Sequence, residues 1–276
     1  MEIRRHSIMA GDTETSYLEA GSPLAEPLLL LHDGSFGSDA ESCWGALIPE
    51  LGLHYRVLAP DLIGHGGTRK IAAFDRDPIT QRIDHVRAFC ETLLLGTPYV
   101  AGSSFGGGMV LRGAASGSLP LRAGISIAGP GGLFMRGDKF AILQDYQPTE
   151  EWSRTVCEFM VNGRAPHDMV AARLARSMRP GHYEALAAPR AVRPVAAADP
   201  PDWRAAYREA LTRVTVPVML VAGADDELLE AGWSDEMVSW LANGRAVTIP
   251  ETRHQPHLDR PAEVAKIIIE FLESVT

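Results

Sequence analysis

The chain is sparing with cysteine, with cations and with long apolar runs, and each shortage removes a class of protein. Three cysteines among 276 residues, Cys43, Cys90 and Cys157, are odd in number and far apart. That argues against a disulfide framework and fits a reducing compartment, so a cytoplasmic location is expected. The longest apolar runs, such as residues 27–31 and 267–269, fall far short of the roughly 20 residues that span a bilayer. No apolar stretch follows the charged start Met1-Glu-Ile-Arg-Arg-His-Ser, so no signal peptide and no membrane association are expected. Lys and Arg total 26 against 35 Asp and Glu, a net charge of −9 that repels a phosphate backbone, so no nucleic-acid partner is expected. G-x-G-x-x-G and G-x-x-x-x-G-K-[ST] are both missing, which removes support for a dinucleotide site or a P-loop. There is no H-E-x-x-H and no cysteine pair, and His254-x-x-His257 alone does not make a zinc site, so no metal and no cofactor are expected.

What remains is an ordinary globular composition, 46% hydrophobic and 22% charged, in a chain long enough to bury a large core. Short apolar runs alternate with helical patterns, the mark of a parallel sheet covered by helices. Strands are expected at 3–9 and 13–19 around the turn Gly11-Asp12, then at 27–31, 55–59, 99–101, 123–128, 217–222 and 246–249. Helices are expected at 44–51, at 79–95 with Pro78 in the first turn, after Gly106, at 233–241 and at 262–272. From Gly129 to Thr212 no strand-like run occurs, and Arg, Pro and Met accumulate. The division expected is a core of residues 1–128 and 213–276, with a helical lid, 129–212, inserted over one end of the sheet. Phe134, Met135, Phe159, Met160, Met169 and Met178 of this insertion suggest an apolar pocket roof, although the same residue types also simply pack helices.

The chemistry concentrates where strands end. Gly102-Ser103-Ser104-Phe105-Gly106 is G-x-S-x-G between a strand and a helix. Two glycines allow a turn tight enough to lift Ser104 above the sheet edge, where a base can reach its hydroxyl. Ser103 lacks that flanking geometry. Downstream, the strand at 217–222 runs into Gly223-Ala-Asp225-Asp226, which puts a carboxylate at the carboxyl edge of the sheet. The G-x-x-D spacing favours Asp226, with Asp225 as the alternative. His254, in Pro250-Glu-Thr-Arg-His-Gln-Pro-His257, follows the last strand and is the expected base; His257 leads into the final helix and suits packing better. The order Ser, acid, His is the one a nucleophile-elbow fold delivers. The amides of Gly34 and of Phe105 are the expected oxyanion donors. His32, Asp33 and His65 are read as structural residues of strand-end loops.

Five motifs in this order resemble the α/β-hydrolase superfamily over nearly the whole chain: His32-Asp-Gly34, Asp61-Leu-Ile-Gly-His-Gly66, Gly102-x-Ser104-x-Gly106, Gly223-x-x-Asp226 and His254-x-Pro-His-Leu-Asp-x-Pro261. The resemblance implies an α/β fold with a mostly parallel eight-stranded sheet flanked by helices. Within the superfamily the chain looks most like the meta-cleavage-product hydrolases, through Gly37-Ser-Asp-Ala-Glu-Ser-Cys-Trp44 and residues 170–181. These cleave a carbon–carbon bond in small vinylogous diketone acids. The likeness implies that Arg173, with Arg176 nearby, holds a substrate carboxylate; Ser35, Phe36 and Gln255 are further residues expected to touch the substrate. It also implies a small-molecule substrate and a homodimer or homotetramer. Two features depart from the family: Arg253-His254-Gln255 where Gly-His-Trp is usual, and Asp33-Gly-Ser-Phe-Gly37 in the oxyanion loop. A carboxylesterase or lactonase, and a non-hydrolytic binding protein or cofactor-free oxygenase, are the other functions this scaffold serves.

Overall fold

The computed structural model of the chain describes residues 2–74, 76–191 and 202–275; residues 192–201 of the expected insertion lie outside the described residues. The order begins with β1 (Arg4–Ala10), β2 (Thr13–Ala20), β3 (Pro27–Leu31), α1 (Ala40–Trp44), α2 (Ile48–Leu51) and β4 (Arg56–Pro60). It continues with α3 (Pro78–Thr92), β5 (Tyr99–Ser103), α4 (Phe105–Ser116) and β6 (Ala123–Ile127). Five helices follow among the described residues, α5 (Gly137–Gln144), α6 (Glu150–Met160), α7 (His167–Ser177), α8 (His182–Ala191) and α9 (Trp203–Thr212). The chain closes with β7 (Val218–Gly223), α10 (Trp233–Val238), β8 (Gly244–Ile249), α11 (Pro256–Asp259) and α12 (Pro261–Glu273).

The eight described strands form one sheet in the order β1-β2-β4-β3-β5-β6-β7-β8. The β1–β2 and β2–β4 pairs are antiparallel and the rest parallel. In β3 the residues Leu28 to Leu31 have no exposed surface, as a strand covered on both faces requires. Leu28 and Leu30 face α1, α2 and α12, while Leu29 and Leu31 face α3 and α4. Full burial of each such leucine contributes roughly 1.5–3 kcal/mol. β1 alternates exposed and half-buried residues because it is an edge strand with water on one side.

Two expectations shift. Residues 44–51 form no single helix. Asp39 caps α1, its side chain accepting from the amide of Ser42 at 2.9 Å, and α2 starts anew at Ile48 with Pro49, which has no amide to continue an earlier helix. The helix at 79–95 ends at Thr92, before Leu94 turns to φ +54°.

The helices of the insertion pack in two clusters. Helices α5 to α8 share a separate apolar cluster built on Tyr146, Val156, Phe159, Met160 and Val170, into which the core contributes Phe36. By contrast α9 belongs to the core layer, where Leu211 is buried with Leu111, Val218, Leu220 and Trp233. Among the described residues no helix is long and apolar enough to cross a membrane.

Candidate active site

Ser104 sits between β5 and α4 at φ +51°, ψ −111°, a conformation a non-glycine residue adopts only when its surroundings impose it. The glycines around it make that turn possible. A carbon added to Gly102 would lie 2.2 Å from the carbonyl oxygen of Gly106, and one added to Gly106 would lie 2.3 Å from that of Leu31. The Ser104 amide donates to the Ile127 carbonyl at 2.7 Å, which pins the turn to the neighbouring strand. Ser103, one residue earlier, has no exposed surface.

The hydroxyl raised in this way meets an imidazole. His254 Nε2 lies 2.8 Å from Ser104 Oγ, and His254 Nδ1 lies 2.8 Å from Asp226 Oδ2. With Nδ1–H donating to the carboxylate, Nε2 is left to accept from the serine hydroxyl. Asp226 is itself oriented, because its Oδ1 accepts from the Leu228 amide at 2.8 Å. Its side chain is 3% exposed and that of His254 1%, so water barely screens the pair. Asp225 is exposed and lies outside this chain of bonds. His257 is fully buried, stacked on Trp44 with ring centroids 4.8 Å apart and 3.4 Å from Cys43 Sγ; burial brings its pKa down to about 3. It is a packing residue that stays neutral.

Gly34 and Phe105 adjoin. A carbon placed on Gly34 would lie 2.9 Å from Phe105 Cβ. Neither amide meets an acceptor among the described residues. Phe105 opens α4, so its amide also carries the positive end of the helix dipole. His32 positions this loop. Its Nδ1 donates to the Asp33 carbonyl at 2.7 Å and its Nε2 accepts from the Leu62 amide at 2.9 Å.

Two small cavities flank the Phe105 side chain. One, of about 220 Å³, is lined by Ser104 together with Ile79, Ala128, Met135, Phe140 and Leu229. The other, of about 180 Å³, is lined by Gly34 with His65, Arg82, Ala185 and Leu186. Of the aromatic and methionine residues expected in the roof, Met135 reaches the first cavity. Phe134 stacks on Trp240 at 5.6 Å, Phe159 and Met160 are buried inside the cover, and Met178 is exposed.

The residues expected to touch the substrate make bonds within the fold. Arg173 is buried, and its Nη1 donates at 2.8 Å both to Ser35 Oγ and to the Phe36 carbonyl. Phe36 is stacked between Tyr146 at 4.8 Å and Tyr183 at 5.3 Å. Gln255 Nε2 donates to Asp33 Oδ2 at 2.8 Å, and its amide donates to the Met160 carbonyl at 2.8 Å. Arg173, Ser35, Phe36 and Gln255 line neither cavity.

Asp33 is the centre of this group. Burial alone would raise its pKa, but the Arg173 guanidinium and the hydroxyls of Ser35 and Ser38 outweigh that and bring it to about 2. The departures Asp33 and Gln255 thus explain each other. They tie the loop after β3, the histidine loop and the cover into one network. Arg253 reinforces it, reaching the Glu158 carbonyl at 2.6 Å and the Glu227 carboxylate at 3.1 Å. Sequence reasoning named Asp33 but gave no sign of this partnership, because no local spacing encodes it.

Beside this geometry stand the relatives. A family profile described as the alpha/beta hydrolase family matches residues 28–267. The chain belongs to the alpha/beta hydrolase family. It is 26% identical over 275 residues to the 2-hydroxymuconate semialdehyde hydrolase of Pseudomonas sp. (strain CF600), covering 98% of this chain and 94% of that protein. It is 26% identical over 272 residues to the 2-hydroxy-6-oxo-6-(2'-aminophenyl)hexa-2,4-dienoic acid hydrolase of Metapseudomonas resinovorans, covering 96% and 89%. Among solved structures, a meta-cleavage product hydrolase from Pseudomonas fluorescens IP01 superposes with a TM-score of 0.85 at 19% identity, covering 98% of each chain. At that identity the superposition speaks for the α/β-hydrolase fold alone. At modest sequence identity, then, this family member is like the meta-cleavage product hydrolases.

Proposed function

We propose that the protein is a serine-type hydrolase that cleaves a carbon–carbon bond in a small keto or dienone acid. The observation that carries the reading is the unbroken chain of hydrogen bonds from Ser104 through His254 to Asp226. Similarity along nearly the full length to hydrolases named for dienone acids supports the bond type.

In this mechanism His254 first moves a proton onto the carbon beside the scissile carbonyl, which turns the dienol substrate into its ketone form. His254 then takes the proton of Ser104, or of a water, as the oxygen attacks the carbonyl carbon. The negative charge that forms on the carbonyl oxygen is met by the amides of Gly34 and Phe105. Collapse re-forms the carbonyl and breaks the carbon–carbon bond. The bonding electron pair leaves into the conjugated ketone fragment as an enolate, which is then protonated. If Ser104 has attacked, water releases the acyl group by the same steps. Asp226 keeps the imidazole in the required tautomer and balances its charge. The cover α5–α8 forms the roof of the site.

A second reading, ester or lactone hydrolysis, shares every one of these groups and is favoured by the internal engagement of Arg173, the residue the family likeness gives to a substrate carboxylate. The deciding experiment incubates the protein with a 2-hydroxy-6-oxohexa-2,4-dienoate and with p-nitrophenyl butyrate. Preferred splitting of the dienoate, lost by roughly 10⁴-fold in Ser104→Ala, supports the proposal. Turnover of the ester alone transfers the protein to the second reading. Splitting of the dienoate that survives in Ser104→Ala removes Ser104 as the attacking group and assigns the attack to the water.

A further inference from the structure

We infer, resting on the reading of His254 as the base, that Asp259 is a positioning residue for the reaction. Its carboxylate clasps the end of α6, in the helical cover, to the loop that carries His254, and so fixes where the imidazole stands. One helix of the cover thereby becomes part of the machinery that holds the base.

An α-helix leaves its last four carbonyls without partners inside the helix. In α6 these belong to Cys157, Glu158, Phe159 and Met160. The Cys157 carbonyl accepts from the Val161 amide at 3.1 Å. The other three accept from consecutive residues of the histidine loop. Glu158 accepts from Arg253 Nη1 at 2.6 Å, Phe159 from the His254 amide at 3.4 Å and Met160 from the Gln255 amide at 2.8 Å. His254 is thus tied to the cover by its main chain and to Asp226 by its side chain. The catalytic loop is the cap of this helix.

Asp259 closes the junction from the other side. It ends α11, the single turn that follows the histidine, and its carboxylate reaches back. Oδ2 accepts from the Arg253 amide at 2.9 Å, and Oδ1 accepts from the Asn162 amide at 2.8 Å. Arg253 immediately precedes His254, and Asn162 stands two residues past the end of α6. One carboxylate therefore joins the two segments that meet at the base, through two charge-assisted bonds. Asn162 adds a bond of its own, its Nδ2 donating to the Glu251 carbonyl at 2.8 Å. Glu251 lies at φ +55°, a conformation a non-glycine residue keeps only where its surroundings impose it. The turn ahead of His254 is thus held in shape by a residue of the cover. The Ser104 hydroxyl, by contrast, is carried by the core between β5 and α4. The 2.8 Å contact from Ser104 to His254 joins a core residue to a loop anchored on the cover, so slack at Asp259 opens that contact. A displacement of about 1 Å in a reacting group can cost roughly 10²-fold in rate.

The test compares the wild type with Asp259→Asn and Asn162→Ala. Asparagine at 259 offers one oxygen to one amide and turns an NH₂ toward the other, so one bond of the clasp is lost. Asn162 is exposed, and its truncation leaves the core untouched. The substrate is whichever of a 2-hydroxy-6-oxohexa-2,4-dienoate and p-nitrophenyl butyrate the wild type turns over. There kcat is expected to fall roughly 10²-fold in Asp259→Asn and roughly tenfold in Asn162→Ala, with KM within about twofold in both. The spectroscopic mark is the low-field proton that His254 Nδ1 donates to Asp226, identified by its loss in His254→Gln. It should shift or broaden in both variants under conditions where circular dichroism shows them folded. A residue that only supports the fold would lower the urea midpoint and leave kcat and this proton as in the wild type; that result overturns the inference. So does a loss carried by KM, which would place Asp259 in substrate binding. If Asp259→Asn does not fold, Asn162→Ala decides by the same two readouts. Inertness of the wild type toward both substrates would count against the hydrolase reading, while the proton spectrum would still decide the place of Asp259.

Discussion

Gly34 and Phe105 stand so close that one added carbon at position 34 would lie 2.9 Å from Phe105 Cβ and Cγ. In the proposed mechanism the two amides meet one oxygen, which needs the loop after β3 to stay this close to α4. Gly34→Ala is therefore expected to push the loop after β3 away from α4 and remove one of two oxyanion donors. Removing such a donor elsewhere costs roughly 10²–10³ in kcat. The expected result is a loss of that order in kcat with KM nearly unchanged, read by steady-state kinetics on any substrate the wild type turns over. Near-normal kcat in a folded Gly34→Ala protein would remove this loop from the chemistry.

Asp226 and Asp225 are adjacent in sequence and opposite in situation. Asp226 is bonded to His254 and to the Leu228 amide, whereas Asp225 is exposed. Asp226→Asn keeps the shape but offers His254 Nδ1 an amide that favours the wrong tautomer, so kcat should fall by roughly 10⁴-fold. Asp225→Asn should leave kcat within about twofold, as surface substitutions generally do. Comparable losses in the two variants would refute the assignment of Asp226.

The difference between these neighbours illustrates what the sequence can hold. Strand-end motifs are local, and so spacing and order alone point to Ser104, Asp226 and His254. The sheet was legible for the same reason: runs such as Leu28 to Leu31 are short, apolar and separated by helical periods. The network around Asp33 was not legible. Its members lie on three segments, and Gln255 is 222 positions from Asp33. Arg173 could be picked out by its likeness to a family position, but burial and a neighbouring carboxylate decide what a cation does, and neither is written in local spacing. The helical cover defeated residue-type reasoning too, because Met and Phe mark packing inside it as readily as a pocket wall.

Arg173 yields a stability prediction. It is buried between Ser35, the Phe36 carbonyl and the Asp33 carboxylate. Arg173→Met leaves Asp33 buried without its compensating cation, a loss that typically costs about 3–5 kcal/mol. Adding Asp33→Asn removes the stranded charge, so the double variant should recover part of that loss. Urea unfolding of the wild type, both single variants and the double variant measures this coupling. Strict additivity of the two single effects would show that the charges do not interact.

Acid should destabilise the protein over two pH ranges, because two kinds of group titrate differently in the folded and unfolded chain. His182 and His85 are held at about 4 and His257 at about 3, each chiefly by burial, against roughly 6.5 for the unfolded chain. From pH 6.5 down to about 4 the unfolded chain therefore binds more protons, and stability falls as pH falls. The slope is about 1.4 kcal/mol per pH unit for each proton taken up. Asp33, at about 2 when folded, contributes stability that is complete above about pH 4 and is lost as pH falls through about 2. His182 gives the first range a structural consequence. Its Nε2 accepts from the Gly37 amide at 2.9 Å and its Nδ1 donates to the Gly64 carbonyl at 2.8 Å, so protonation breaks the bond from α8 to the loop after β3. Urea midpoints measured between pH 7 and pH 3 should fall from about pH 6 downward, and His182→Gln should flatten that fall by up to one proton's worth. A midpoint constant from pH 7 to pH 5 would mean that these imidazoles are not held neutral by the fold.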